Sequence, residues 1–266
     1  MSTRRTTFLD AEAQLGGTFL HPGGRPATDL LLAFLTPTAG ERILELGCGP
    51  GTTTALVASR PGVSVVALEA SPAMLRTARR RIERAGLDGQ VRFARHDLNN
   101  PLPLADGSCD AAFAESVIAL VDPEPVLREA ARVLRPGGRL ALNERIWRPG
   151  LSQARVDEVN ALSLAAFGIP AATPAPLDRD GWSAAIERAG FQLLEVLPVA
   201  EIPPPADGPS VFQARLRRYQ HYLARPGLAW HQYRFKQALR RQRDAFDALE
   251  SYLFFARKPE TPTQAR

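Results

Sequence analysis

The sequence predicts a doubly wound α/β fold: a seven-stranded, mostly parallel sheet with an N-terminal lid and a helical insert before the last strand. Three observations predict it. From Glu41 to Trp147 short apolar runs alternate with helix-period segments, the mark of βα units feeding a parallel sheet. A glycine-rich turn follows the first of those runs directly. The connections are short, which demands right-handed crossovers and a sheet covered on both faces.

In chain order, strand one is Arg42–Leu46, strand two Val63–Leu68, strand three Val91–Phe93, strand four Ala111–Ala114 and strand five Arg139–Asn143. Between strands two and three, Ser71 and Pro72 supply an N-cap and a first helical residue. Leu75, Ala78, Ile82 and Ala85 then recur at helical spacing, and Gly86 ends the run. A second helix covers residues 125–134 before the turn Pro136–Gly138. Helices at 152–166 and 180–189 lead to strand six, Phe191–Leu197. The run Pro203–Pro209 reads as a rigid linker into two helical stretches, 210–224 and 228–250, broken at Pro226–Gly227. Strand seven, Ser251–Ala256, closes the sheet. The predicted organisation is thus 1–40, an N-terminal lid and helix; 41–200, a ligand-binding α/β core; 201–250, a helical insert; and 251–266, the final strand and tail.

Composition removes several function classes. Two cysteines, Cys48 and Cys109, form neither a disulfide framework nor a metal-ligand spacing, so no structural metal is expected. No apolar run is long enough to span a bilayer and no secretory h-region follows Met1, so a soluble, cytoplasmic protein is expected. Residues 201–266 hold twelve Arg or Lys against six Asp or Glu, a net of +6. The first 200 residues therefore sum to −1 within the chain's +5, and the basic excess belongs to the C-terminal quarter.

The densest chemical signal is Glu45-Leu46-Gly47-Cys48-Gly49-Pro50-Gly51, at the carboxyl end of strand one, where open α/β sheets bind ligands. It lacks the Gly-Lys-Ser/Thr ending of a phosphate-cradling P-loop. It also misses the dinucleotide pattern, because Thr52 stands where the third glycine belongs. Carboxylates follow the strands instead: Glu45, Glu69, Asp97, Glu115 and Glu144 lie near the ends of strands one to five. Such a ring repels a pyrophosphate and suits a ligand carrying hydroxyls, amines and positive charge.

These residues, with Leu68–Leu75, His96-Asp97, Cys109-Asp110, Glu115-Ser116 and Val133–Gly138, resemble the class I S-adenosylmethionine-dependent methyltransferases over residues 40–147. Within that class the chain looks most like the small-molecule group that includes the ubiquinone and menaquinone C-methyltransferases. The resemblance implies a Rossmann-like sheet and S-adenosyl-L-methionine as cofactor. It implies that Glu69 binds both ribose hydroxyls, that Asp97 and the Leu98 amide bind the adenine amino group, and that Ala70 and Met74 flank the adenine. Gly47 and Gly49 would pass the methionyl part, and Glu45 would hold the loop and reach the cofactor's ammonium. Cys48, Gly51 and Glu115 complete the cofactor-binding set.

For chemistry at the acceptor, His21, Glu115 and Glu144 are the candidate proton acceptors. The segment Leu15–Arg25 carries four glycines around Phe19, His21 and Arg25, and reads as a lid turning those three side chains toward the site. Tyr219, Tyr222, Trp230, Tyr233 and Phe235 of the insert suit an aromatic or amphipathic acceptor. The expected activity is methyl transfer to a small molecule. The alternatives are an RNA methyltransferase that uses Arg215, Arg217, Arg218, Arg234, Lys236, Arg240, Arg241 and Arg243 against phosphates, and a cofactor-binding protein without transferase activity. The Asn-Pro-Pro-Tyr signature of adenine and glutamine N-methylation is absent after strand four, where Ala114–Val117 stand.

Overall fold

The computed structural model describes residue 12 and residues 19–175, 177–203, 226–241 and 247–260. Its strands are β1 (Arg42–Leu46), β2 (Ser64–Glu69), β3 (Val91–Arg95), β4 (Cys109–Glu115), β5 (Leu134–Trp147), β6 (Gln192–Pro198) and β7 (Leu249–Arg257). They form one seven-stranded sheet in the order β3-β2-β1-β4-β5-β7-β6. Strands β1 to β5 pair in parallel, and β7 is antiparallel to both β5 and β6. The helices are α1 (Gly24–Leu35), α2 (Thr52–Ala58), α3 (Pro72–Ala85), α4 (Pro123–Val133), α5 (Gln153–Phe167), α6 (Arg179–Arg188) and α7 (Pro226–Arg241).

Side chains alternate across each strand, so the central strands feed two cores. Leu44, Leu46, Val66, Leu68, Ala112, Ala114, Leu140 and Leu142 pack on one face with α4 and α6. Ile43, Val65, Ala67, Ala111, Phe113 and Ala141 pack on the other with α1, α2 and α3. Strands apolar on both sides are what a sheet covered on both faces requires. On α3 the Ser71 hydroxyl accepts from the Met74 amide, as the sequence predicts. Among the described residues no helix is long and apolar enough to cross a membrane.

One element differs in a way that matters for the site. Strand β5 runs from Leu134 to Trp147, through the Pro136–Gly138 segment that reads as a turn and four residues beyond Asn143. Leu134 already pairs with Cys109, and the register shifts between Cys109 and Ala111 take up the irregularity. Antiparallel pairing with β7 continues to Trp147 opposite Leu249, which holds the extra turn of strand in place. Glu144 is therefore inside a strand and not at its end.

Candidate active site

The carboxyl ends of β1 to β5 enclose a cavity of about 560 Å³. Because β1 lies between β2 and β4, the lining divides on either side of it. Glu69, Ala70, Met74, Arg95, His96, Asp97 and Leu98 come from the β2 and β3 side. Leu20, His21, Glu115–Val117, Ala119–Val121 and Arg145 come from the β4 and β5 side, joined by Ile169–Ala171 from the turn after α5. Glu45, Gly47, Cys48 and Gly49 lie between them.

The glycine loop is tied to β2 by backbone and side chain together. The Cys48 amide donates to the Leu68 carbonyl at 2.8 Å. The Glu69 carboxylate accepts from the Gly49 amide at 2.9 Å and the Ser71 amide at 2.7 Å. Each Glu69 oxygen takes one of these bonds and keeps a lone pair for a ligand. Burial raises the Glu69 pKa above the ordinary carboxylate value, and the amide bonds oppose that rise.

Gly47 and Gly49 are constrained differently. A Cβ on Gly47 would stand 2.5 to 2.8 Å from the Val117 side chain, so the chain's own packing excludes one. At Gly49 nothing lies within 4 Å of a Cβ position, yet φ is +50° and the residue is on the cavity wall. That backbone leaves room for a ligand to come close.

Glu45 is buried on the β1 end and accepts from the Thr54 hydroxyl at 2.5 Å, which anchors the first turn of α2. Burial pushes its pKa well up. Asp97 sits exposed at the cavity edge, where the Asn99 amide and side chain bond Oδ1 at 3.0 and 2.9 Å and hold its pKa down. Cys48 is buried, and loss of solvent raises its thiol pKa.

Across β1, Glu115 meets His21. Its Oε1 accepts from the Thr28 hydroxyl at 2.7 Å and lies 3.2 Å from His21 Nε2, while Oε2 accepts from the Thr53 hydroxyl at 2.6 Å. The Asn143 amide nitrogen stands 3.0 Å from His21 Nδ1 and also donates to the Pro22 carbonyl at 3.0 Å. Nδ1 also lies 3.1 Å from the Pro22 carbonyl and Nε2 3.1 Å from the Thr28 hydroxyl, so both ring nitrogens have polar partners and Nε2 is the one that faces the carboxylate. Both side chains are almost wholly enclosed, at 5% and 8% exposure. Glu115 is followed by Ser116, whose φ of 56° is unusual for a residue with a side chain.

Three expected site residues stand elsewhere. Glu144, expected as a base, is fully buried inside β5 and does not line the cavity. Its carboxylate accepts from the Val117, Ile118 and Ala119 amides at 3.3, 3.1 and 3.1 Å, so it pins the turn after β4. Gly51, placed in the cofactor set, is buried against Ala78 and is not on the wall. Arg25, read as facing the site, pairs with Asp29 at 2.6 Å on the exposed side of α1. Phe19 packs edge-on against His21, its centroid 5.8 Å away, and so supports the site through that ring.

The aromatic residues assigned to the acceptor wall divide as well. Tyr219 and Tyr222, with Arg215, Arg217, Arg218, Arg241 and Arg243, lie outside the residues whose side chains are described. Trp230 and Tyr233 stack on each other at 5.7 Å and are exposed, and Phe235 packs on Phe167 of α5 at 5.7 Å. No described residue of α7 lines the cavity. The apolar wall comes from Ile169–Ala171 instead, a segment the sequence marks only by its prolines.

Glu144 gives a pH-dependent stability. Burial, reinforced by the nearby Glu115 charge and opposed by the three amides, raises its pKa to about 7. An acid raised on folding favours the folded state at low pH. Its contribution is complete below the ordinary carboxylate pKa and is lost as pH rises through about 7. The melting temperature of the wild type should therefore fall between pH 5 and pH 8 more steeply than that of Glu144→Gln, by the equivalent of roughly 1 to 3 kcal/mol. Parallel melting curves for the two proteins would show that Glu144 does not titrate in this window.

Comparison with known proteins agrees with this geometry. A family model described as "Methyltransferase domain" matches residues 44–142. The chain is 36% identical over 196 residues to Methyltransferase GfsG of Streptomyces halstedii, covering 73% of this chain and 68% of that protein. It is 35% identical over 163 residues to 27-O-demethylrifamycin SV methyltransferase of Amycolatopsis mediterranei, covering 56% of this chain and 60% of that one. Among solved structures, the [4+2]-cyclase SpnF has a TM-score of 0.70 at 23% identity, over 95% of this chain and 94% of that one, which is a likeness of fold. A seven-stranded sheet with a glycine loop clamped by a β2 acid, carrying this degree of identity, makes the chain a member of the class I S-adenosylmethionine-dependent methyltransferases.

Proposed function

We propose that this enzyme methylates a hydroxyl group of a small, largely apolar acceptor, and that Glu115, supported by His21, receives the hydroxyl proton. The observation that carries the reading is the enclosed His21–Glu115 pair, on the cavity wall across β1 from Glu69.

The cavity fits the cofactor. The open space above Gly49, the spare lone pairs of Glu69 and the acids on the wall match a ligand with a ribose diol and a net positive end. Glu69 is then the ribose acceptor. Asp97, with the Leu98 amide, receives the adenine amino group, while Ala70 and Met74 flank the ring. Gly47, Cys48 and Gly49 border the methionyl part beside Glu45, whose buried carboxyl gains a counter-charge. Bound there, S-adenosylmethionine supplies an electrophilic methyl group.

The protein's own contribution is positioning, exclusion of water and management of one proton. Leu20, Val117, Leu120, Val121 and Ile169 keep the acceptor half apolar. On Glu115, Oε1 serves Thr28 and His21 while Oε2 serves Thr53 alone, so Oε2 has a lone pair for an acceptor hydroxyl. His21, its Nε2 facing the carboxylate, fixes the orientation of that group.

The choice of oxygen is supported by relatives named as O-methyltransferases, such as one of Pyrenophora dematioidea that is 30% identical over 168 residues. A carbon acceptor of the ubiquinone or menaquinone kind is the alternative within the class. The test is to incubate the enzyme with S-adenosylmethionine and a panel of hydroxylated small molecules and to locate the transferred methyl by NMR. An O-methyl product with one S-adenosylhomocysteine per methyl is expected. A C-methyl product would overturn the oxygen assignment. Methylation of RNA alone, or tight cofactor binding with no acceptor turned over, would overturn the small-molecule reading.

A further inference from the structure

We propose that Arg145 is the acceptor-binding cation of this enzyme, and that the acceptor carries a carboxylate set off from its methylated hydroxyl by an apolar stretch. This names a substrate class for the site described above and rests on that reading.

Strand geometry places the residue. Side chains two apart on a strand share a face, so Arg145 points the same way as Asn143, the residue that holds His21. Glu144 points the other way. Along the strand the step from Asn143 to Arg145 is about 7 Å. Arg145 therefore stands one step farther from the β4 end than the pair that handles the proton. It lines the cavity there, with Leu20, Leu120, Val121, Ile169 and Pro170 contributing to the same half.

No hydrogen bond or ion pair engages its guanidinium among the described residues, which leaves all its donors for a ligand in the cavity. The residue is exposed to solvent on the cavity side, and the protein packed around its guanidinium draws its pKa below the ordinary value. It remains a cation at neutral pH. An apolar acceptor that fills this half displaces the remaining water. A guanidinium left there without an anion would then be penalised heavily, whereas one paired with a carboxylate through two parallel N–H bonds would not.

A single negative charge suits the site better than a phosphate. The remaining wall carries Glu45, Glu69, Asp97 and Glu115, and one arginine does not offset a dianion among four acids. The other arginine on the wall, Arg95, is the register partner of Glu69 and so belongs to the nucleoside side, across β1 from Arg145.

The probes are octanoate and phenylpropanoate, each beside its primary amide of the same shape, titrated calorimetrically into enzyme loaded with S-adenosylhomocysteine. The acids should bind roughly 10- to 100-fold tighter than the amides. Arg145→Gln should abolish that preference while leaving the melting temperature and S-adenosylhomocysteine affinity near wild type. Equal binding of acid and amide by the wild type, absence of binding included, overturns the proposal, and so does a preference that survives Arg145→Gln. If the substitution instead weakens S-adenosylhomocysteine by tenfold or more, Arg145 serves the cofactor's carboxylate and the proposal is wrong. Failure of the wild type to bind S-adenosylhomocysteine at all would sink the site assignment itself, a result separate from any difference between the probes.

Discussion

Replacing Glu69 by Ala is expected to weaken S-adenosylhomocysteine binding by roughly 30- to 1000-fold, the equivalent of about 2 to 4 kcal/mol from a pair of charge-assisted hydrogen bonds. Two losses combine. The ribose loses its acceptor, and the Gly49 and Ser71 amides lose theirs, which frees the glycine loop from the end of β2. Glu69→Gln separates them, because its carbonyl oxygen still accepts one amide while the charge is gone. It should fall between wild type and Glu69→Ala. Calorimetry on variants whose melting transitions remain cooperative is the measurement. Unchanged affinity in a folded Glu69→Ala protein would remove Glu69 from the ligand site.

The position of Glu69 at the end of β2 is legible in the sequence because everything that defines it is local: an apolar strand, an acid at its end, a capped helix after it. The same holds for Glu45 and the glycines, since a strand, a sharp turn and a helix start within ten residues. Glu144 was misplaced for the opposite reason. Where β5 ends depends on its pairing with β7, more than a hundred residues later, and no local pattern announces that Asn143 is mid-strand. Gly51 shows the limit of motif reading, since a glycine of the right loop serves helix packing against Ala78.

The His21–Glu115 pair was only half legible. His21 and Glu115 each stood out as candidates, but their partnership spans 94 residues and is assembled by α1 packing beside β5. Thr28, Thr53 and Asn143, which orient the pair, were not singled out, because threonine in the first turns of helices and asparagine at a strand end have ordinary local roles. A sharper signal was available in β5. Asn143 and Arg145 are polar residues on one face of a strand whose other described neighbours on that face, Ala141 and Trp147, are buried and apolar. Polar side chains interrupting such a face mark a cavity.

Glu115→Gln is expected to lower kcat for a hydroxyl acceptor by roughly 10²- to 10⁴-fold, the usual contribution of a positioned proton acceptor. The substitution preserves shape and burial and lets the Thr53 or Thr28 hydroxyl keep a partner, but an amide cannot take up a proton. Because the carboxylate is needed as the proton leaves, kcat and kcat/KM should fall by similar factors while S-adenosylhomocysteine affinity changes little. His21→Gln should have a smaller effect, since Glu115 would keep its two threonine donors and lose only the imidazole that steadies Oε1. The double variant should be no slower than Glu115→Gln alone, as groups acting in one relay are not additive. If His21→Gln were the more damaging single change, the imidazole would be the proton acceptor and Glu115 its orienting partner. If both variants kept wild-type kcat, the reaction would run on positioning alone, and the enclosed pair would serve only to fasten residues 21–28 over the end of β4.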